Sequence, residues 1–232
     1  MEETPPLSDT DAAPGRRKRE RLARRRAILD AALAVFGDKG FDGATVDEVA
    51  ERAEFGKGTL YNYFPGGKDE LYLTLFEEIV LDGMIAAVHA SVPDTAALTT
   101  APAVRRAVCD LVEGLIAHFQ AHREHLFLFM KDGQRVASGS GRPDFFARGF
   151  GRVIDAVAEP IQAAIAAGVL KPLPARPVAH LLMGAVRGHL MAPGDCGGPG
   201  TMTTGPAASD AATFLTTVLL DGLIAPEGAR PA

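Results

Sequence analysis

Apolar residues recur every three or four positions along most of this chain, and no segment shows the strict alternation of a half-buried strand. The pattern predicts an all-α protein. A first helix is predicted over the basic segment GRRKRERLARRRAILDAALAVFGDKG, which Gly40 is suited to end. Its apolar stripe consists of Leu22, Ile28, Leu29, Ala32, Val35 and Phe36. Residues 1–14 are polar, acidic and interrupted by proline, so we expect a disordered tail there.

Two short helices joined by a tight turn are predicted next. Thr45 is a suitable N-cap, and Glu48, three residues later, completes the pattern of a capping box. The apolar positions of the first short helix are Val46, Val49, Ala50 and Ala53. The helical periodicity breaks at residues 54–56 and then resumes, with Leu60 and Phe64 facing inward. This arrangement is typical of a helix-turn-helix.

The outer face of the second short helix carries groups that suit DNA. They are Lys57, Thr59, Tyr61, Asn62 and Tyr63. Cations, hydroxyls and amides form hydrogen bonds with phosphate oxygens and with base edges. A short helix with a small apolar side and a positively charged outer face is typical of a recognition helix in the major groove.

The stretch GKGTLYNYFPGGKDEL, preceded by TVDEVAERA, resembles the DNA-binding region of TetR-family transcriptional repressors. The matching residues are Thr45, Val49, Ala50, Ala53, Gly58, Thr59, Leu60, Tyr61, Tyr63, Phe64, Lys68 and Leu71. The close resemblance covers about residues 22–75. Two positions depart from the family pattern: Glu54 stands where Gly is usual, and Gly56 stands where Ser or Thr usually caps the second helix. If the backbone is left-handed at position 54, Glu carries a steric penalty there.

The roles expected at the DNA follow from the side-chain types. We expect Thr45, Thr59, Tyr63 and Lys68 to hold phosphates. We expect Lys57, Tyr61 and the Gly58 backbone to approach base edges, with Asn62 on either target. The partner would be a palindromic double-stranded operator, with recognition helices about 34–36 Å apart in a dimer. The arginine run at the start of the first helix has two interpretations, a solvated helix face or a basic arm that reaches phosphates or the minor groove.

A larger helical body is predicted after this head. A long helix should run from Lys68 to about Ala90, followed by a loop over 91–101. Further helices are predicted over 102–125, 143–167, 178–191 and 208–223, with a loop near 138–141 and a kink or restart at Pro160. The predicted domains are a tail over 1–14, a DNA-binding domain over 15–68 and a ligand-binding and dimerisation domain over 69–226.

The last two helices are apolar on broad faces, which leaves two interpretations, a homodimer interface or intramolecular core. The family resemblance implies that they form a four-helix dimer interface. It also implies that the body binds a small inducer, and we expect a mostly apolar organic effector. The candidate ligand residues are Phe119, His122, Phe127, Met130, Phe146, Phe150, Met183 and Arg187. Arg187 and His122 are the candidates for the polar end of the ligand.

A metal-responsive regulator is the alternative function. His118, His122 and His125 are spaced so that one continuous helix would place them on one face, where they could ligate Zn²⁺ or Ni²⁺. No carboxylate or cysteine stands obviously beside them, so an exposed polar face is the other interpretation. Cys196 lies in a glycine-rich loop, and no neighbour in the sequence would lower its pKa, which argues against redox sensing. We therefore expect no metal and no cofactor.

Composition and charge limit the remaining classes. The net charge is −5, but residues 14–68 carry twelve Lys and Arg against eight Asp and Glu, a net of +4, which leaves −9 for the rest. A basic head can steer towards DNA because screening confines each patch to a local field. No segment is apolar enough to span a bilayer, no secretory signal is present, and two cysteines predict a reduced, cytoplasmic location. No catalytic motif indicates an enzyme.

Overall fold

The computed structural model describes residues 12–191 and 208–221, and every regular element in these residues is helical. The α-helices are α1 Ala12–Gly43, α2 Val46–Arg52, α3 Lys57–Tyr63, α4 Gly67–Phe76, α5 Asp82–Ser91, α6 Ala101–Ala121, α7 Arg123–Gly139, α8 Phe145–Ala166, α9 Ala175–Met191 and α10 Ala208–Asp221. A π-helical segment, Glu77–Leu81, joins α4 to α5, and a 3-10 turn lies at Thr95–Ala97. The all-α prediction is confirmed. None of the described helices combines the length and apolar character needed to cross a bilayer.

The chain forms two compact units. Of the described residues, the first unit contains 12–75 and 128–142, and the second contains 76–127, 143–191 and 208–221. The second half of α7 thus belongs to the first unit. The domain boundaries at 14 and 68 stay a prediction, and the first eleven residues of the expected tail lie outside the described residues.

The core of the first unit is built on a group of aromatic rings that pack edge to face. The ring of Tyr72 lies 5.8 Å from that of Phe36, 4.9 Å from that of Phe41 and 5.1 Å from that of Phe129, with edge-to-face geometry in each case. Burial, and next the charge of Asp132, raise the pKa of Tyr72 well above its ordinary value. Arg135 binds the carboxylates of Asp132 and Asp42, at 3.0 Å in each case. The second half of α7 is therefore part of the packing that supports the helix-turn-helix.

In the second unit, α10 packs along α6, α9 packs along α8, and α5 contacts both α6 and α8. Two glycines allow close approach: a Cβ on Gly149 would lie 2.2 Å from Leu81, and a Cβ on Gly83 would lie 2.3 Å from the His118 ring. Arg152 of α8 binds Glu77 at 2.9 Å and also binds Asp82, so it holds both ends of the π-helical segment.

Several predicted boundaries change. The long helix after the head does extend to Ser91, but through a π-helical segment that its periodicity did not reveal. The helix predicted over 102–125 ends at Ala121, because His122 leaves helical geometry (φ −113°, ψ 20°). A new helix, α7, then continues into the loop predicted at 138–141. Helix α8 continues through Pro160 as one element.

Candidate nucleic-acid interface

Helix α2 begins at the predicted capping box. The Glu48 N–H donates to Thr45 Oγ1 at 3.3 Å, and the Thr45 N–H donates to Glu48 Oε2 at 3.0 Å. Lys39 donates to the other carboxylate oxygen of Glu48 at 2.5 Å. This bond first, and then the Thr45 bonds, lower the pKa of Glu48. The predicted capping box is thus confirmed, and the exposed Thr45 hydroxyl, which accepts one of these bonds, still has its own proton to donate.

The turn between α2 and α3 has the left-handed residue that the family pattern predicts. Glu54 has φ 58°, and among the described residues it is the one non-glycine residue with positive φ. The Glu54 N–H donates to Glu51 O at 3.0 Å and the Phe55 N–H donates to Ala50 O at 3.0 Å, which is a Schellman motif. Gly56 is the N-cap of α3, as expected, and it forms no side-chain cap bond.

Glu54→Gly should raise the free energy of unfolding by about 0.5–1 kcal/mol. Relief of left-handed strain, roughly 1–2 kcal/mol, exceeds the extra chain entropy of glycine. Thermal melting should show a midpoint about 2 °C higher. The matched control is Glu51→Gly, which places the same substitution inside helix α2 and should lower the midpoint. A lower midpoint for Glu54→Gly would show that the turn tolerates glutamate without strain.

The outer face of α3 is open. Leu60 is fully buried and Phe64 is 2% exposed, whereas Lys57, Gly58, Tyr61 and Asn62 are exposed. No atom outside the local helix lies within 4 Å of the position of a Cβ on Gly58, so a DNA backbone or base can approach closely there. Lys57 lies 2.8 Å from Asp47 of α2, and this bond raises the pKa of Lys57. Lys57 therefore places an exposed positive charge at the start of α3, held by Asp47.

Three of the expected phosphate ligands are less exposed than Thr45. Thr59 and Tyr63 are half-buried in α3. Lys68 donates to the carbonyls of Phe41 at 3.0 Å and Ala44 at 3.1 Å, and its Nζ lies 4.5 Å from the centre of the Phe41 ring. These contacts occupy two of its three N–H donors. The structure thus gives Lys68 a structural role, joining the start of α4 to the end of α1, that sequence reasoning missed.

Those expected ligand residues whose side chains the structure describes do not converge on one cavity. Phe146 and Phe150 lie 4.7 and 6.1 Å from the Phe76 ring, and Phe150 is 42% exposed. Phe119 and His122 lie beside the His118 ring, at 6.1 and 4.7 Å. On α9, Met183 is half-buried and Arg187 is exposed. The side chains of Phe127 and Met130 lie outside the described residues.

The expected row of three histidines is broken. His122 is the C-cap of α6, and His125 lies in the first turn of the next helix, α7. The assumption of one continuous helix was wrong. Burial, and next the neighbouring His122, lower the pKa of His118. The nearby backbone of Ile79 and Val80 has the opposite, smaller effect on this pKa. The buried Nε2 of His118 has no hydrogen-bond partner among the described residues. Within the described residues, no group of three or more His, Cys, Asp or Glu is arranged to hold a metal. Cys196 lies outside them.

An apolar slot between α6, α8 and α9 was not predicted. Its walls include Leu98, Val104, Val108, Val157, Ala164 and Leu182. Side chains fill it to a free volume of about 20 Å³, room for roughly one water molecule. A polar cleft of about 170 Å³ adjoins it and shares Val92 and Pro160. The cleft is also lined by His89, Thr95, Ala156 and Glu159. The slot depends on packing between distant helices, which periodicity cannot show.

The head and the fold are both found in known proteins. Residues 28–75 match the family model described as bacterial regulatory proteins, tetR family. The HTH-type transcriptional regulator RutR of Escherichia coli K12 is 39% identical over 84 residues, 36% of this chain and 39% of RutR. The matched part thus spans about two fifths of the length of this relative.

Solved structures share the fold over most of the chain. A TetR-family transcriptional regulator from Mesorhizobium loti superposes with a TM-score of 0.66 at 20% identity, covering 86% of this chain and 96% of that one. FadR of Bacillus subtilis, in complex with stearoyl-CoA, superposes with a TM-score of 0.59 at 16% identity, covering 86% and 99%.

The capped helix pair, with its buried inner side and open outer face, has the geometry of a helix-turn-helix. Over residues 28–75 the chain is similar to TetR-family regulators.

Proposed function

We propose that this protein is a cytoplasmic repressor that binds a palindromic operator as a homodimer and releases it when a small, mostly apolar effector binds. The observation that carries the DNA-binding part is the α2–turn–α3 geometry, with a buried inner side and an open outer face. Lys57, Tyr61, Asn62 and the Gly58 backbone are its base-reading groups, and Thr45, Thr59 and Tyr63 its phosphate ligands.

The dimer is proposed from the surface of α9 and α10. Leu181 of α9 is 63% exposed and Phe214 of α10 is 62% exposed. Large apolar side chains exposed on two helices favour association with a second copy of the chain. In a two-fold dimer each copy buries the same patch, so both apolar surfaces leave water together. Leu182, in contrast, is 5% exposed and lines the apolar slot, so it belongs to the core of the protomer.

The effector site is proposed at the apolar slot and the adjoining polar cleft. An apolar tail would replace Leu98, which is 5% exposed and closes the slot from the 92–100 segment. This segment has local side-chain support, since Asp94 Oδ1 accepts from the Ala96 N–H at 2.9 Å and Thr100 Oγ1 accepts from the Ala103 N–H at 3.4 Å. The bound stearoyl-CoA of FadR, an apolar chain with a polar head, supports this class of ligand.

The cleft favours a head group that donates hydrogen bonds. Glu159 supplies a carboxylate, and Pro160 has no N–H, so the carbonyl of Ala156 lacks the donor that a regular helix provides. Arg187, which suggested an anionic head from the sequence, lies exposed on α9 and does not line the slot or the cleft. The proposed effector is therefore an amphiphile with an amine or hydroxyl head.

Octylamine, octanol and octanoate test this site by their release of operator DNA in a mobility-shift assay. Octylamine should release DNA at the lowest concentration and octanoate at the highest. Leu98→Ala should lower the octylamine concentration needed roughly tenfold, since the enlarged slot accepts about two more methylene groups. Glu159→Gln should raise it for octylamine and leave octanol unchanged, while the control Glu113→Gln changes neither.

An unchanged response of the Leu98→Ala protein to all three compounds would place the effector site elsewhere. Release of the operator by micromolar Zn²⁺ or Ni²⁺, with no organic compound active, would favour a metal-responsive regulator instead. Neither result would bear on DNA binding by α3.

A further inference from the structure

The N-terminal part of α1, residues 15–27, is almost entirely exposed. We call this segment the basic arm. Every side chain in it is exposed except Arg25, which is half-buried, and burial in the core begins only at Ile28. Thirteen helical residues have a length of about 20 Å. Leu22, 55% exposed, is the one large apolar side chain of the arm, so the arm has no apolar face for a membrane or a helix partner.

The charge of the basic arm is almost all of one sign. It contains eight Lys or Arg and one acidic residue, Glu20, a net charge of +7. Ion pairs link Arg16 to Glu20 and Arg26 to Asp30, both at 2.9 Å. Within the described part of the chain, no ion pair is formed by Arg17, Lys18, Arg19, Arg21 or Arg24. Four acidic residues precede the arm in the sequence and still leave +3.

Such a helix gains little stability from the protein itself. Isolated helices of about this length are marginal in water, and like charges three or four positions apart destabilise them further. A polyanion removes this repulsion, because each phosphate neutralises a cation and releases a condensed counterion. The arm thus suits a ligand that presents regularly spaced negative charges along about 20 Å.

The base of the basic arm lies beside the recognition helix. The Arg25 guanidinium lies 5.5 Å from the centre of the Phe64 ring, and Phe64 is the C-cap of α3. A cation over an aromatic ring is a favourable contact, so Arg25 connects the arm to the end of the DNA-reading helix. DNA bound by α3 would therefore present its phosphates near the base of the arm.

We propose that the basic arm binds the phosphate backbone flanking the operator half-site and adds affinity that does not depend on sequence. This inference rests on the proposed DNA binding by α3. The test replaces Arg17, Arg19 and Arg21 by Gln, with a matched variant that replaces the same three by Lys and so keeps the charge. Binding is measured by fluorescence anisotropy over 50–200 mM salt on two 30-bp duplexes, a sequence selected by the wild type and a mixed sequence.

The Gln variant should bind both duplexes more weakly by the same factor. The slope of log K against log salt should become shallower by at least about two units, one phosphate contact per protomer of the dimer. The Lys variant should keep the wild-type slope, and all three proteins should melt together because the arm is unpacked. Helix content by circular dichroism should rise when DNA is added to the wild type and less in the Gln variant.

An unchanged salt slope in the Gln variant, with wild-type affinity, would show that the basic arm does not bind phosphates. It would leave DNA binding by α3 intact. A loss confined to one sequence would also overturn the proposal for the basic arm, since the arginines would then read bases or groove width. Failure of the wild type to bind either duplex would instead contradict the proposed function.

Discussion

Leu181→Glu in α9, or Phe214→Glu in α10, should give a folded monomer that no longer binds a palindromic operator. Both side chains are more than 60% exposed in the protomer, so a glutamate there remains solvated and the monomer keeps its stability. In a dimer the same glutamate would be buried without a partner, which costs several kcal/mol on each side of a two-fold interface. Light scattering after size exclusion would give the mass, and anisotropy would give operator affinity.

Leu182→Glu is the matched control for this prediction. Its position differs by one residue, yet Leu182 is 5% exposed and lines the apolar slot. We expect this variant to lose cooperative unfolding, because it buries a charge in the core of the protomer. If Leu181→Glu and Phe214→Glu both stay dimeric at micromolar concentration, the last two helices are not the interface.

The double substitution Lys57→Ala, Tyr61→Ala should abolish preference for the operator while leaving binding to mixed-sequence DNA nearly unchanged. Each good base contact contributes about 1–3 kcal/mol of discrimination, and a dimer makes each contact twice. The loss on the operator should therefore exceed roughly a hundredfold. The fold should be retained, since both side chains are exposed and the Lys57–Asp47 pair lies at the surface.

Lys68→Met tests whether Lys68 contacts DNA or stabilises the fold. Its ammonium binds the carbonyls of Phe41 and Ala44, so the substitution should lower the melting temperature and weaken operator and mixed-sequence DNA only through that loss. Lys57 and Tyr61 do not read bases if their double variant loses the same factor of affinity on every sequence. The structural role of Lys68 is wrong if Lys68→Met changes sequence preference.

Local signals made the helix-turn-helix predictable. The Thr45 and Glu48 capping box, the left-handed residue at position 54 and the inward Leu60 each depend on residues a few positions apart. Neighbouring residues therefore carry all of the information that such features need. The same holds for the glycine that ends the main part of α1, since Gly40 has φ 70°.

The body was predictable in class but not in detail. The pattern predicted helices, but it revealed neither the break at His122 nor the π-helical segment. Residues 77–82 contact Arg152 and Gly149 of α8, which are distant in the sequence. Aromatic content suggested ligand residues, but which apolar side chains meet in a slot is set by tertiary contacts. Apolar character likewise did not distinguish Leu181 from Leu182, because the choice of helix face depends on the neighbouring helices.

Selection from a random 30-bp DNA library by the wild-type protein tests the central claim most directly. We predict enrichment of an inverted repeat whose half-site centres lie about 10–10.5 bp, or a multiple of this, apart, as two-fold related recognition helices require. The Lys57→Ala, Tyr61→Ala protein should not enrich it. Sequences no different from the input library, or enrichment of the same repeat by both proteins, would contradict the assignment of α3 as the element that reads DNA.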